Sequence, residues 1–228
     1  MNCKEGILIE ESDRNKFINV RACENDRRGF RIKKSSENLL INCLAKDNGR
    51  KGFSIEENGD DNLLVNCMAK DNGQQGFKIE EGDGNKIYDC KAIANCRDGI
   101  EIDGGSYNRV INNLVEDNGN KVACAEEDYK PWYYAGIDVT KGITDKNGVL
   151  VYPSEYNEIK YNRACGNLGC VACYDENLSP TCKARERDFW DENVDDKGDC
   201  DSNNVWQNNR VVCRNVAPEC SPEPVEPD

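Results

Sequence analysis

A 23-residue unit repeats along the first half of the chain. Each copy begins with glycine, and successive glycines are 23, 23, 24, 23 and 37 residues apart. The copies are GILIEE (6–11), GFRIKK (29–34), GFSIEE (52–57), GFKIEE (76–81), GIEIDG (99–104) and GIDVTK (136–141). A repeat this regular sets the architecture, because each copy buries its apolar residues against the neighbouring copies.

The glycine phrase has the two-residue period of a β-strand. Residues one and three after each glycine are apolar in every copy, whereas residues two and four after it are mostly charged. This alternation indicates a strand with one buried and one solvated face. Turns rich in Asn, Asp and Gly separate the segments, and residues 6–115 show no helical period. Short strands without crossover helices are expected to stack as a parallel solenoid.

A second phrase, led by asparagine, keeps the same register. It begins at Asn15, Asn38, Asn62, Asn85, Asn108, Asn157 and Asn204. Four residues later the chain has Asn or Asp in every copy except Tyr161, which predicts a tight left-handed bend between two sheets. Ten residues after the leading Asn lies a further column: Asn25, Asn48, Asn72, Asn95, Asn118 and Asn167. We interpret the Asn columns as structural groups that satisfy turn backbone.

The combined phrase, Asn-x-apolar-x-Asn-(Asn/Cys)-x-Ala followed by Gly-apolar-x-Ile, resembles a coil of the pectate-lyase-like superfamily. The resemblance covers roughly residues 3–215, with poor register between 165 and 203. It implies an all-β fold, a right-handed single-stranded parallel β-helix of about 23 residues per coil. It also implies an inward ladder five residues after the leading Asn, where three rungs are Cys43, Cys67 and Cys90. The same coil carries lyases, hydrolases, epimerases, tail spikes and inert surface proteins, so it selects no function.

Charge and hydropathy restrict the partners. The net charge of −13 argues against nucleic acid and against an anionic membrane surface. No apolar run approaches a membrane span, and the start MNCKEGILIE lacks the pattern of a signal peptide. Because the repeat begins in mid-coil, we expect a mature, truncated or fragmentary chain. The expected location is extracellular or at the cell surface.

The chain has 14 cysteines, and eight of them cluster in the insertions and the C-terminal part. An even count in a loop-rich segment favours disulfides and an oxidising compartment. The alternative is a zinc site formed by Cys165, Cys170, Cys173 and Cys182, since the second and third have ligand spacing. By contrast, Cys43, Cys67 and Cys90 are expected to be reduced, buried and to act as small hydrophobic residues.

The register divides the chain into three parts. Residues 1–164 form coils with insertions at about 119–135 and 141–156, and residues 165–215 form Cys-rich terminal coils or a cap. Residues 216–228 are an acidic, Pro-rich tail that is expected to be disordered. Asn157 and Asn204 are 47 residues apart, which leaves room for one degenerate coil between them.

Outward positions on the glycine-led strands are candidate functional positions. Glu56, Glu80 and Asp103 would stack at the ~4.8 Å spacing of parallel strands. Three stacked carboxylates raise one another's pKa, and a hard cation such as calcium would relieve them. The candidate calcium ligands are Glu80, Glu101, Asp103 and Asp138. The alternative is a solvated face in which Lys33, Lys34 and Lys78 are interleaved with the acids.

The two insertions enter and leave the strand that contains Asp138, so we expect them to wall a groove over its outward face. The first insertion is aromatic, and aromatic faces beside carboxylates suit sugar rings. The candidate polysaccharide contacts are Tyr129, Trp132, Tyr133, Tyr134 and Lys78. The alternative is that these aromatic residues pack the insertion onto the coils.

The chain has no histidine, which removes the usual serine or cysteine triad. It also departs from the polygalacturonases and alginate epimerases that the coil resembles, because their sites use His. Glu101, Asp103 and Asp138 are the candidate catalytic acids of a glycoside hydrolase or a calcium-dependent lyase. A lyase also needs a basic residue as proton acceptor. Lys33 is a poor one, because Glu10 and Glu56 are expected to flank it and raise its pKa.

Three hypotheses therefore remain for this chain. It binds or positions a polysaccharide, it cleaves one as a lyase or hydrolase, or it is a structural surface module with no catalysis.

Overall fold

The computed structural model describes residues 4–119, 135–140, 142–144, 146, 150–165, 167, 189–191 and 204–211, with backbone alone for 189–191 and 211. Each coil contributes three short strands, which stack on those of the next coil in parallel register. The strands therefore form three seven-stranded parallel sheets, as the period-two alternation predicts. Every strand of the described coils is two to four residues long.

Sheet A contains the glycine-led strands, and sheets B and C contain the strands of the asparagine-led phrase. Sheet A consists of β1 (Ile7–Glu10), β4 (Phe30–Lys33), β7 (Phe53–Glu56), β10 (Phe77–Glu80), β13 (Ile100–Asp103), β16 (Ile137–Val139) and β21 (Phe189–Asp191). Sheet B consists of β2 (Lys16–Ile18), β5 (Leu39–Ile41), β8 (Leu63–Val65), β11 (Lys86–Tyr88), β14 (Arg109–Ile111), β19 (Glu158–Lys160) and β22 (Val205–Gln207). Sheet C consists of β3 (Arg21–Cys23), β6 (Leu44–Lys46), β9 (Met68–Lys70), β12 (Lys91–Ile93), β15 (Leu114–Glu116), β20 (Arg163–Cys165) and β23 (Arg210–Val211).

The interior is a set of single-residue columns that run along the solenoid axis. Phe30, Phe53 and Phe77 stack with centroid separations of 4.7 and 4.9 Å and nearly parallel rings. Sheets B and C contribute Leu and Ile columns and an Ala column, all buried. The glycine of each phrase faces this interior: a β-carbon on Gly52 would lie 2.9 Å from the Ala69 β-carbon. Glycine is therefore required where a coil closes against the Ala column of the next one.

The Asn columns satisfy the turn backbone, as the repeat predicts. In the column ten residues after the leading Asn, Asn95 donates from Nδ2 to the Ala69 carbonyl (3.1 Å) and to Asn118 Oδ1 (2.8 Å). Its own Oδ1 accepts from the backbone N–H and the Nδ2 of Asn72. The bend residues between sheets B and C have the predicted left-handed backbone, including Tyr161 at a φ of 58°. The buried Asn side chains of this column are thereby paired from rung to rung.

The inward ladder between sheets B and C changes from thiols to amides along the chain. Cys43, Cys67 and Cys90 are buried free thiols, which confirms that they are reduced. A hydrogen bond to Cys67, together with burial, raises the pKa of the Cys43 thiol. In the next coil Asn113 takes over the column, and its Oδ1 accepts from the backbone N–H of Cys90 at 2.8 Å. These thiols fill space in the core as small hydrophobic residues.

The expectation of a degenerate coil between Asn157 and Asn204 is wrong. Strand β19 pairs directly with β22, and β20 pairs directly with β23, so the 47 residues make one coil with a long insertion. The insertion at 141–156 forms an antiparallel hairpin of β17 (Gly142–Thr144) and β18 (Leu150–Pro153). Most of the insertion at 119–135 lies outside the described residues. No helix in the described ranges is long and apolar enough to span a membrane.

Candidate functional site

The outward face of sheet A carries three columns of polar side chains. Two were expected from the alternation, at two and four residues after each glycine. The third lies immediately before each glycine and consists of Glu5, Arg28, Lys51, Gln75, Asp98 and Ala135. Side chains from this column reach those of the strand, as the contacts of Arg28 and Lys51 with Glu56 show. The result is a grid of ionisable groups, most of them half-buried or buried.

Glu56 is the most strongly paired carboxylate of this grid. Its carboxylate lies 2.9 Å from a guanidinium nitrogen of Arg28, 2.9 Å from Arg31 Nε and 3.2 Å from Lys51 Nζ. The Ser54 hydroxyl also donates to it. Burial alone would raise the pKa of Glu56, but Lys51, the Ser54 hydrogen bond, Arg28 and Arg31 together lower it to about 2. Glu56 is therefore ionised and acts as an internal counter-ion rather than as an acid.

Lys78 is surrounded by carboxylates, just as Glu56 is surrounded by cations. Its Nζ lies 2.6 Å from Asp103, 3.1 Å from Glu101 and 3.7 Å from Glu80. The side chain is only 11% exposed. Burial opposes the charged form, but Glu101, Asp103 and Glu80 outweigh it and raise the pKa of Lys78. The ammonium is thus permanently protonated and unsuited to accept a proton.

Ion pairs connect these groups across five coils. Lys51 bridges Glu56 to Glu80 at 3.2 and 2.9 Å, and Lys78 continues from Glu80 to Asp103. Asp103 then accepts from the Thr140 hydroxyl at 2.9 Å. We call this series, from Arg28 to Thr140, the ion-pair chain. It neutralises the acidic stack that Glu56, Glu80 and Asp103 form in consecutive register.

The grid is also polarised along the solenoid. The second coil presents three cations, Arg28, Arg31 and Lys33, and the fifth presents three carboxyl groups, Asp98, Glu101 and Asp103. The two groups are three rungs apart, about 14 Å at the spacing of parallel strands.

Asp98 is the acid with the most perturbed environment. Its carboxyl is buried and accepts from the backbone N–H of Ala135. Burial and the nearby Glu101 charge raise the pKa of Asp98. Gln75 donates from Nε2 to Glu101, whereas its buried Oε1 has no hydrogen-bond partner. The Asp98 carboxyl therefore holds a proton more readily than an exposed carboxyl does.

The predicted site residues are only partly brought together. Glu80, Glu101 and Asp103 surround Lys78, and Asp138 is the register partner of Glu101 in the adjacent strand. Glu101 and Asp138 are buried, whereas Glu80 and Asp103 reach solvent with side chains 34% and 24% exposed. The aromatic candidates Tyr129, Trp132, Tyr133 and Tyr134 lie outside the described residues.

The environment of Lys33 differs from expectation. Its Nζ pairs with Glu10 at 3.1 Å and with Glu57 at 3.4 Å, and the hydrogen bond that it donates to Glu10 raises the pKa of Lys33. Glu56, although it is the register partner of Lys33, turns instead to the two arginines. The predicted direction of the pKa shift holds, but one of the two predicted partners is wrong. Two guanidinium groups and Lys51 offer Glu56 more hydrogen bonds than a single lysine does.

The solvated alternative for this face is also only partly right. Lysines do alternate with the acids, but Lys51, Lys78 and Glu56 are largely removed from water. No group of three or more acidic or cysteine side chains suited to a metal ion occurs within the described ranges. The Lys78 ammonium lies between the carboxylates that were predicted as calcium ligands.

The column before the glycine was missed because sequence reasoning followed only the strand alternation. Its signal was present, since the position is polar in five consecutive copies. The side chains of Arg28, Lys51 and Asp98 are the ones that make the face a connected network.

The Glu56→Gln substitution is expected to lower the free energy of unfolding by about 3 kcal/mol, because it leaves several buried cations without their carboxylate. Urea unfolding at pH 7, followed by circular dichroism, measures this change. Glu57→Gln is the matched control: its side chain is 42% exposed, and we expect a change of less than about 1 kcal/mol. Equal effects of the two substitutions would contradict the assigned role of Glu56.

The effect of Glu56 is also expected to depend on pH. Its folded-state pKa of about 2 lies below the ordinary 4.5, so its ionisation stabilises the fold fully above pH 4.5. The contribution is lost as the pH falls from 4.5 towards 2. The stability difference between wild type and Glu56→Gln should therefore shrink across this window in urea titrations. A difference that is constant down to pH 2 would show that the charge of Glu56 is not responsible.

The fold and the three-column face are those of a parallel β-helix. The chain belongs to the family described as right handed beta helix region, whose model matches residues 5–193. This confirms the fold class and the handedness that the resemblance implied. A search of curated protein sequences gives no significant match.

Solved structures of similar fold include polysaccharide-modifying enzymes. The A-module of a mannuronan C-5 epimerase from Azotobacter vinelandii has a TM-score of 0.63 and 19% identity, over 72% of this chain and 45% of that chain. A mutant of the periplasmic alginate epimerase AlgG has a TM-score of 0.57 and 17% identity, over 72% of this chain and 33% of that chain. At these identities the similarity establishes the fold, and this chain spans less than half the length of either neighbour.

Proposed function

We propose that the protein binds a polysaccharide along the outward face of sheet A, and that the acidic end of the ion-pair chain is where the sugar is held or processed. The observation that carries the proposal is the polarised grid of largely buried, mutually paired charges on the outside of a solenoid. A structural module gains little from such a face, because an apolar or fully solvated surface would serve as well.

The exposure of the carboxylates indicates which of them a ligand reaches. Glu80 and Asp103 keep one side in water while the other side is fixed by lysine. Their remaining lone pairs are acceptors for sugar hydroxyls, and the Thr140 hydroxyl lies beside Asp103. Lys78 holds these carboxylates in place from beneath. Because these side chains are already fixed, they lose less conformational entropy on binding than flexible acidic side chains would.

Similarity in fold supports the ligand class. The two solved neighbours are named for epimerisation of mannuronan and alginate, both linear polysaccharides. A parallel β-helix offers an extended face whose rungs repeat every ~4.8 Å, which suits a linear polymer with repeating units.

Chemical processing is a second candidate function, and Asp98 is the observation that favours it. Its raised pKa makes the Asp98 carboxyl a candidate proton donor, and Glu101 is a second carboxyl nearby; glycoside hydrolysis requires two such groups. Asp138 lies one rung further on as an additional acid. A lyase is less well supported, because Lys78 and Lys33 both have raised pKa values and do not accept a proton readily.

Calcium at Glu80, Glu101, Asp103 and Asp138 remains a proposal. A calcium ion there would have to displace the Lys78 ammonium, since both need the same carboxylate oxygens. Calcium binding should then be weak and should compete with the ion pairs.

The remaining alternative is that the protein is a structural surface module with no catalysis.

An extracellular or periplasmic location is likewise proposed. It is consistent with the periplasmic epimerase among the neighbours and with the cysteine content. Disulfides in the Cys-rich part are supported by Cys165, which is disulfide-bonded, as is Cys96 of the regular coils. The other cysteines of that part lie outside the described residues.

Binding can be tested by affinity electrophoresis through gels that contain alginate, polygalacturonate or neutral glycans. We expect at least one polymer to retard the wild type, and Asp103→Asn to weaken that retardation about tenfold, the loss of roughly one charged hydrogen bond. Asp117→Asn makes the same charge change at an exposed turn and should bind as the wild type does. If no polymer retards the wild type, the proposed function is wrong.

A further inference from the structure

A pair of tyrosines forms a separate feature on the turn that connects sheet A to sheet B. The rings of Tyr107 and Tyr156 stack with centroids 5.2 Å apart and planes within 7°. Both are exposed, at 61% and 47% of their surface. They belong to consecutive coils although 49 residues separate them, because the insertions at about 119–135 and 141–156 both lie between them.

The backbone beneath the pair is fixed. The Tyr107 N–H donates to the Glu155 carbonyl at 3.1 Å, and the Gly84 N–H donates to the Ser106 carbonyl at 3.0 Å. Tyr107 and Tyr156 have φ values of 59° and 55°, in the left-handed region that bulky residues rarely adopt. Every coil uses this conformation here, but the other described residues of the column are Arg14, Glu37, Asp61 and Gly84. Two exposed aromatic side chains at a position suited to glycine or Asp need an explanation beyond the turn itself.

One face of the pair is open. The preceding rung is Gly84, which has no side chain to cover the Tyr107 ring. A β-carbon on Gly84 would have the Asp61 carboxylate as its nearest neighbour, 2.6 Å away, and no Tyr107 atom among its three nearest neighbours. The Asp61 carboxylate therefore lies over Gly84, on the side of the exposed Tyr107 ring away from Tyr156. We call the surface formed by this ring face and this carboxylate the slot.

We infer that this slot is a binding site for a neutral pyranose ring of a glycan, distinct from the charged face of sheet A. The apolar face of a pyranose stacks on an aromatic ring, and its hydroxyls donate to a carboxylate such as Asp61. The surroundings select against acidic sugars, because Asp60 and Asp83 cap the neighbouring turns through their own carboxylates. The pre-stacked and backbone-fixed rings need little ordering on binding.

The test uses affinity electrophoresis through gels that contain barley β-glucan, galactomannan or xyloglucan. We expect at least one of these neutral polymers to retard the wild type, and Tyr107→Ala to raise the dissociation constant about tenfold. Gly84→Asn is a second variant, which fills the slot with a residue that tolerates the left-handed backbone. It should lose binding while Tyr107→Phe, which keeps the ring, retains most of it.

Tyr161→Ala is the matched control, since Tyr161 is also exposed and left-handed but belongs to the bend between sheets B and C. It should bind as the wild type does. Tyr107→Ala also separates this inference from the proposed function, because it should leave any retardation by the acidic polymers alginate and polygalacturonate unchanged. The inference is overturned if no neutral polymer retards the wild type. It is also overturned if Tyr107→Ala and Gly84→Asn, with wild-type circular dichroism, bind as tightly as the wild type.

Discussion

The Phe53→Ala substitution is expected to lower the free energy of unfolding by about 4 kcal/mol, the largest effect of any single core truncation in the described coils. The ring of Phe53 is buried and sandwiched between Phe30 and Phe77. Its strand is hydrogen-bonded on both sides, to β4 and to β10, so the coil cannot collapse into the cavity. Urea unfolding at neutral pH measures the change.

Leu8→Ala provides the control for Phe53→Ala. Leu8 belongs to the same sheet but is 48% exposed on the outward face. We expect it to lower the free energy of unfolding by less than about 1 kcal/mol. If Phe53→Ala is as mild as Leu8→Ala, the stacked interior column does not stabilise the solenoid.

The Asn95→Ala substitution is expected to cost about 3 to 5 kcal/mol, although it removes a single polar side chain. It leaves the Ala69 carbonyl and the backbone N–H of Asn72 without their partners, both in the interior of the coil stack. Each unsatisfied buried group costs about 1 to 3 kcal/mol. Urea unfolding monitored by circular dichroism measures the sum.

Asn66→Gly serves as the comparison for the Asn ladder. Asn66 also bonds an Asn of the neighbouring coil, with Nδ2 2.7 Å from Asn42 Oδ1, but this pair is exposed. Glycine keeps its left-handed backbone, and we expect a change of less than about 1 kcal/mol. Similar losses for Asn95→Ala and Asn66→Gly would mean that burial does not govern the strength of the ladders.

The interior of this protein was predictable because one residue position decides one column. Period-two alternation identified Phe53 and Ile55 as buried, and the tolerance of Asn for left-handed backbone located the bend at Asn66. The stack of copies then fixed the register without further information. The number of coils between Asn157 and Asn204 was predicted wrongly, because a long insertion and an extra coil lengthen the spacing between two copies by the same amount.

The outward face was less predictable because its geometry depends on side-chain direction. Register alone places Lys33 beside Glu56, but Arg28 comes from the turn before the strand and competes for the same carboxylate. The Tyr107–Tyr156 stack was missed for a different reason. The Asn-led phrase aligns Asn108 with Asn157, but the residues immediately before the leading Asn were not followed as a column.

The central claim is that the outward face of sheet A binds and orients a polysaccharide. The most direct test is to incubate the protein with alginate, polygalacturonate and neutral glycans, with and without calcium, and to examine each polymer by proton NMR and mass spectrometry. NMR is required because epimerisation leaves the mass unchanged, whereas cleavage alters both readouts. The account predicts line broadening of at least one polymer by the wild type, reduced by Asp103→Asn and unaffected by Asp117→Asn. Saturated fragments would assign hydrolysis to the acid pair of Asp98 and Glu101, and calcium-dependent unsaturated ones would indicate a lyase. Unchanged spectra for every polymer would contradict the account and leave a structural module.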